Sequence, residues 1–148
     1  MDWFKRKRIL VPFDFSEESK EAVKVGVALA KNKDDVHVLN VLAQLPVGDP
    51  YVVWDEQSDA RRMEATRKSM REALAEFDLQ NIHLDVGLGN PSSTIADLAE
   101  EIEAGLIVIP SHGRTGVKRL LLGSVTEHVV RLAHCPVLVL KKAEPADD

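Results

Sequence analysis

Cysteine is nearly missing from this sequence: Cys135 stands alone among 148 residues. A single thiol excludes an intramolecular disulfide framework and a cysteine-rich zinc site, so a reducing, cytoplasmic location is the expectation. Positive charge is also short. The net charge is -5, which argues against a general nucleic-acid binder, because such domains carry a basic balance. No apolar run approaches the ~18 residues of a transmembrane helix. No signal-peptide core follows the basic start either, so no stable membrane insertion is expected. The hydrophobic fraction of 45% and charged fraction of 29% are those of an ordinary globular chain. At this length one domain is expected, burying roughly two-thirds of its unfolded surface.

The familiar catalytic signatures are absent as well. There is no Gly-x4-Gly-Lys-Ser/Thr phosphate loop and no Gly-x-Gly-x-x-Gly fingerprint. A Gly-x-Ser-x-Gly nucleophile elbow is lacking too. Ser111 and His112 are adjacent, and sequence neighbours seldom point at each other, so a catalytic pair is not expected there. His112, His128 and His134 match no recurrent zinc spacing. No general acid–base pair can be named. The expectation is a pocket without an evident catalyst.

What is present centres on residues 105–127. Leu106 to Ile109 is a short continuous apolar run, the mark of a central parallel strand covered on both faces. Ser124 to Glu127 reads as a Ser-x-x-Glu capping box opening a helix. Gly113, Arg114, Thr115, Gly116, Lys118 and Arg119 lie between them. A flexible basic loop leading to a helix N-terminus at the carboxyl end of a strand suits a phosphate.

The rest alternates strand and helix. Residues 1–8 combine Trp3 and Phe4 with four basic residues and read as a solvated lead-in; a weak membrane-surface anchor is the sharper alternative. Ile9 to Phe13 is the first strand, with Pro12 marking where its pairing ends. Ser16 caps a helix running to about Lys31, with Ala22, Val23, Val27 and Ala30 inward. Asp14, at the strand's carboxyl end, is either a local turn residue or a ligand-facing carboxylate. Val36 to Leu42 is the second strand, its His37 and Asn40 read as strand-end or face-edge polar residues. Ala43 to Asp55 is a long loop, a candidate lid. A helix from about Gln57 to Phe77 turns Met63, Met70, Ala73, Leu74 and Phe77 inward as core filler. Ile82 to Val86 is a half-exposed edge strand, broken by Gly87 and Gly89. Asn90 caps, and Pro91 begins, a helix burying Ile95, Leu98, Ala99 and Ile102. A last helix spans Val125 to about Ala133, Cys135 reads as a small buried residue, and Val137 to Leu140 is the last strand. The tail, residues 143–148, is acidic and expected to be disordered. This alternation predicts an α/β single domain over residues 9–142, an open parallel five-stranded sheet with helices on both faces.

The chain resembles the universal stress protein family through Ile9 to Ser16, Leu106 to Arg114, Leu121 to Glu127 and Cys135 to Val139. The family's ATP-binding branch carries Gly-x2-Gly-x9-Gly-Ser/Thr. Here Gly113, Gly123 and Ser124 fit that spacing, and Pro110 stands where the first glycine would be. Proline withholds an amide donor, a loss on the order of 1 kcal/mol, about fivefold in affinity. The resemblance implies strand order 3-2-1-4-5, a Rossmann-like sheet of the adenine nucleotide alpha hydrolase-like kind. It also implies a homodimer through the last strand, Val137 to Leu140. It implies ATP, with magnesium, as ligand: adenine and ribose near Pro12, Phe13, Asp14 and Val41, phosphates over Gly113, Gly123, Ser124, Val125 and Thr126. Ile109, Pro110, His112 and Arg114 complete the implied set. Ser124 has a plain helix-cap reading beside its phosphate reading, and the two are compatible. Three functions follow: a nucleotide-responsive regulatory or chaperone-like module in the stress response, a relative that lost the nucleotide and works through protein contacts, or an α-hydrolase enzyme. The last needs a stronger phosphate loop than Asp14-Phe15-Ser16.

Overall fold

The computed structural model describes residues 7–44, 56–112 and 122–141. Its elements run β1 (Ile9–Pro12), α1 (Glu17–Leu29), β2 (Val36–Leu42), α2 (Glu56–Ala73), β3 (His83–Leu88), α3 (Pro91–Glu101), β4 (Leu106–Pro110), α4 (Ser124–Leu132) and β5 (Val137–Leu140). The five strands form one parallel sheet in the order β3-β2-β1-β4-β5. This is the α/β architecture and strand order expected, with β3 at an edge.

Alternation along the strands divides the interior into two cores. Ile9, Val11, Val36, Val38 and Val108 face Ala22 and Val23 of α1 and Met70 of α2, with Leu74 just beyond it. Leu10, Leu39, Ile107 and Ile109 face Ile95 and Ala99 of α3 and Val129 of α4. Central strands buried on both faces are why β1 and β4 read as unbroken apolar runs. Met70 and Leu74 are fully buried, and Met63, Ala73 and Phe77 pack partly covered beside them.

Three boundaries differ from the sequence reading. α1 stops at Leu29, where Ala30 turns extended while its amide still reaches Gly26. α2 ends at Ala73, because the following turn tightens into three-residue bonds, with the Phe77 amide on the Leu74 carbonyl. Gly87 lies inside β3, paired with Val41, and does not break the strand. A Cβ there would sit 2.7 Å from the Thr94 methyl, so the glycine lets α3 approach the sheet. Gly89, at φ 126°, makes the turn out of β3. The lead-in up to residue 6, residues 45–55 of the expected lid and the tail from residue 142 lie outside the described residues.

Candidate functional site

The strand order reverses between β1 and β4, the place where open α/β sheets form a crevice. The pairing there is short: β1 registers with β4 only through Ile9 on Leu106 and Leu10 on Ile107. One more rung would need the amide of Pro12 on the Val108 carbonyl and the amide of Pro110 on the Pro12 carbonyl. Neither proline has an amide proton. Their neighbours already look outward, Phe13 donating to Leu39 of β2 and Ser111 to Leu140 of β5. The two strands therefore part at their carboxyl ends.

A cavity of about 310 Å³ opens at this point, within the size range of ligand pockets. Pro12, Phe13 and Asp14 line it from the end of β1, and Ile109 and Pro110 from the end of β4. Leu39 and Val41 of β2 and Pro91 and Ile95 of α3 form an apolar side, beside the amide of Asn40. Gly123, Ser124, Val125 and Thr126 bring in the start of α4, and Ser19 contributes from α1.

The helix starts are not alike. At α1, the Ser16 hydroxyl accepts from the Ser19 amide at 3.1 Å. Asp14 closes the preceding turn, its carboxylate accepting from the Ser16 amide at 3.0 Å and the Ser16 hydroxyl at 2.5 Å. The Asp14 amide is spent on the Ser19 hydroxyl. Phe15 is held at φ 67°, a costly conformation for a bulky residue, by this network and by its ring contact with Phe13. At α3, the Asn90 side chain accepts from the Ser93 amide. At α4 the cap is Gly123, and among the described residues no side chain closes the helix. The amides of Ser124, Val125 and Thr126 open its first turn, where helix geometry provides no carbonyl for them. A first turn left open onto a cavity is suited to an anion.

The capping box expected at Ser124 to Glu127 is therefore not formed. Ser124 is the first helical residue, not the cap, and Glu127 instead pairs with Arg131 at 2.7 Å. Asp14 serves its turn and also lines the cavity. Thr126 is buried and donates its hydroxyl to the Pro110 carbonyl at 2.8 Å, tying α4 to the end of β4. Thr126→Val keeps the shape and leaves that carbonyl unpaired. It is expected to lower stability by about 1–3 kcal/mol in urea unfolding.

His112, named for the site from sequence, does not line the cavity. Gly113 and Arg114 lie outside the described residues. Ser111 and His112, expected to point apart, are in contact, Oγ to Nδ1 at 3.2 Å. Both leave the end of β4 as the chain turns, which brings consecutive side chains to one side. The His112 Nε2 is buried with no partner among the described residues.

Sequence reasoning also missed cavity residues. Asn40 is no face-edge residue: it is buried and donates to the Phe13 carbonyl at 2.8 Å, bridging β2 to the end of β1. Its signal was a lone amide inside an apolar central strand. Leu39 read only as part of a strand, Pro91 as a helix start and Ile95 as core, and Ser19 was not singled out. His37, read as a strand-end or face-edge polar residue, pairs with Asp85 at 2.9 Å and stacks on His83 with ring centroids 4.2 Å apart, between β2 and β3 and outside the cavity. Lys20 is held above its ordinary pKa by its hydrogen bond to Glu76, and Asp78 below its own by Lys33; neither lines the cavity. Among the described residues no cluster of three or more metal-ligating side chains is assembled, and no helix is long and apolar enough to cross a membrane.

Comparison with known proteins points one way. The model of the universal stress protein family matches residues 5–141. A universal stress protein of Methanocaldococcus jannaschii is 38% identical over 141 residues, covering 92% of this chain and 82% of that protein. The structure of universal stress protein UspA from Lactobacillus plantarum is similar at a TM-score of 0.70 and 27% identity, covering 92% and 98% of the two chains. Two more distant universal stress proteins share the fold at 21% and 20% identity and TM-scores of 0.61 and 0.55. The first, solved in complex with cAMP, covers 90% of this chain and 95% of its own; the second, from Archaeoglobus fulgidus with dAMP, covers 90% and 97%.

Proposed function

The chain belongs to the universal stress protein family, and within it we propose a cytoplasmic module that binds an adenine nucleotide, ATP with magnesium, in the crevice between β1 and β4. The nucleotide makes it a regulatory or chaperone-like component of the stress response. The observation that carries this reading is the glycine-capped start of α4 opening onto a cavity with an apolar far side. Phosphate meets the amides of Ser124, Val125 and Thr126, and the base lies against Leu39, Val41 and Ile95. Gly113, Arg114, Lys118 and Arg119 join the phosphate side through the motif spacing. That relatives of the same fold were solved with cAMP and dAMP supports the ligand class.

The α-hydrolase reading has less support. Its phosphates would need the turn after β1, and there Asp14, Ser16 and Ser19 spend their own donors within the turn. The test is titration calorimetry with ATP and magnesium at low salt, with Gly113→Ala/Gly123→Val as control. Micromolar binding abolished in the control is the expected result. No binding at millimolar ATP would overturn the reading in favour of a relative acting through protein contacts alone, the reading that Pro110 favours.

The same proposal includes a homodimer joined through β5. This strand is an edge, apolar throughout, with Leu138 exposed, and such an edge wants a partner. Leu138→Lys would bury an unpaired ammonium at that seam, at a cost of several kcal/mol. Sedimentation equilibrium is expected to find dimer for the parent protein and monomer for the variant at micromolar concentration.

A further inference from the structure

We propose that Arg67 closes the β3 edge of the sheet to strand addition by a second copy of the chain, leaving the β5 edge open. The inference does not depend on the nucleotide reading. It starts from a charge in an apolar stripe. Met63, Met70 and Leu74 mark the face of α2 and its following turn that packs on the sheet, and Arg67 lies at helical spacing on that same face. Its side chain is only 30% exposed. An aliphatic residue would pack there with no charge to desolvate. The guanidinium is spent instead at the edge of the sheet.

Among the described residues β3 is the last strand on its side. The Gly89 amide points inward, onto the Leu42 carbonyl of β2. Backbone groups alternate along a strand, so those of Leu84, Val86 and Leu88 point away from β2, where a further strand would pair. Arg67 Nε donates to the Leu84 carbonyl at 3.1 Å. An incoming strand's amide would stand at that distance, in a lane about 4.8 Å from β3. Glu64, one turn earlier on α2, accepts from Arg67 Nη1 at 2.8 Å and holds the guanidinium in the lane. The opposite edge differs. At β5 the carbonyls of Pro136 and Leu140 face β4, accepting from Ile107 and Ser111, so those of Val137 and Val139 face outward. Among the described residues no side chain donates to either. A sheet open at both edges joins copies without end, whereas one closed edge limits the assembly to a pair.

The experiment is sedimentation velocity of the full chain over a range of protein concentrations, with amide hydrogen exchange on the same samples. It compares the parent with Arg67→Met and Arg67→Lys. Methionine keeps the packing beside Met63 and Met70 and gives up the donor. Arg67→Met is expected to fold and to reach at least about twice the parent's mass at high concentration. Its Val86 and Leu88 amides, paired in the new contact, are expected to exchange at least about tenfold more slowly than the parent's. Arg67→Lys keeps a charge and a donor and is expected to stay at the parent's mass. Each variant is read against the parent, so a parent without the β5 seam is told apart from an unguarded β3. A folded Arg67→Met at the parent's mass throughout would overturn the inference. Larger species with unchanged exchange at Val86 and Leu88 would overturn it too, because association would then run through another surface. Should Arg67→Met not fold, Arg67→Ala is read by the same two criteria.

Discussion

Ser124→Glu is expected to weaken ATP binding about a hundredfold while leaving the fold as stable as before or slightly more so. Ser124 is the first residue of α4, and its side chain is exposed at the cavity. A carboxylate there benefits from the helix dipole, by about 0.3–1 kcal/mol, so folding does not suffer. The same carboxylate stands where phosphate must sit. Two like charges about 4 Å apart at the protein surface repel by up to about 4 kcal/mol, and solvent and salt reduce this. Ser124→Ala separates charge from hydroxyl. It removes one neutral hydrogen bond and keeps all three amides, so about fivefold weakening is expected. Calorimetry reads the affinities, and thermal unfolding without ligand reads the stability. A glutamate variant that binds ATP like its parent would contradict the phosphate position.

Leu10→Ala is expected to cost about 3 kcal/mol of stability, the largest loss for a single truncation in the floor beneath the crevice. Leu10 is fully buried in β1, at the middle of the sheet, in the core formed with Leu39, Ile95, Ile107 and Val129. β1 pairs with strands on both sides, so the backbone has little freedom to collapse into the space left behind. The melting temperature should fall by roughly 10 °C. Leu29→Ala, at a position 52% exposed on α1, serves as the contrast and should change stability by no more than about 0.5 kcal/mol. Urea unfolding of both variants gives the two values. Similar small losses at both positions would contradict the central place of β1.

The strands were legible because each rule applied without competition. β1, β4 and β5 are apolar runs of strand length, β2 is an apolar stretch interrupted by His37 and Asn40, and β3 alternates as an edge strand should. Strand order was not legible from periodicity at all. It came with the resemblance, since alternation of strand and helix fixes parallel pairing and not which strands are neighbours. At the crevice, sequence placed Pro12, Asp14, Pro110 and Ser124 at element ends, and these line the cavity. It misread two local conflicts. Ser-x-x-Glu at residues 124–127 favours a capping box, but Gly123 already donates to the Ser111 carbonyl and takes the cap position, pushing Ser124 into the helix. Asn40 looked like an edge residue because a polar side chain in a strand more often faces water. Its partner, the Phe13 carbonyl, lies just past the last residue of β1 on the side that faces β2, a contact between residues 27 positions apart that cannot be seen along the chain. Pro110 itself read from sequence as the loss of one donor. In the fold it matters jointly with Pro12, because the two open the gap from both sides.

The central claim is that α4, not α1, receives the phosphates. Backbone amide chemical shifts of the isotopically labelled protein, followed through a titration with ATP and magnesium, test it most directly. The account predicts the largest shifts at the amides of Ser124, Val125 and Thr126, saturating with the calorimetric affinity, while those of Glu17, Glu18 and Ser19 move little. The largest shifts at Ser16 to Ser19, with α4 unmoved, would contradict it.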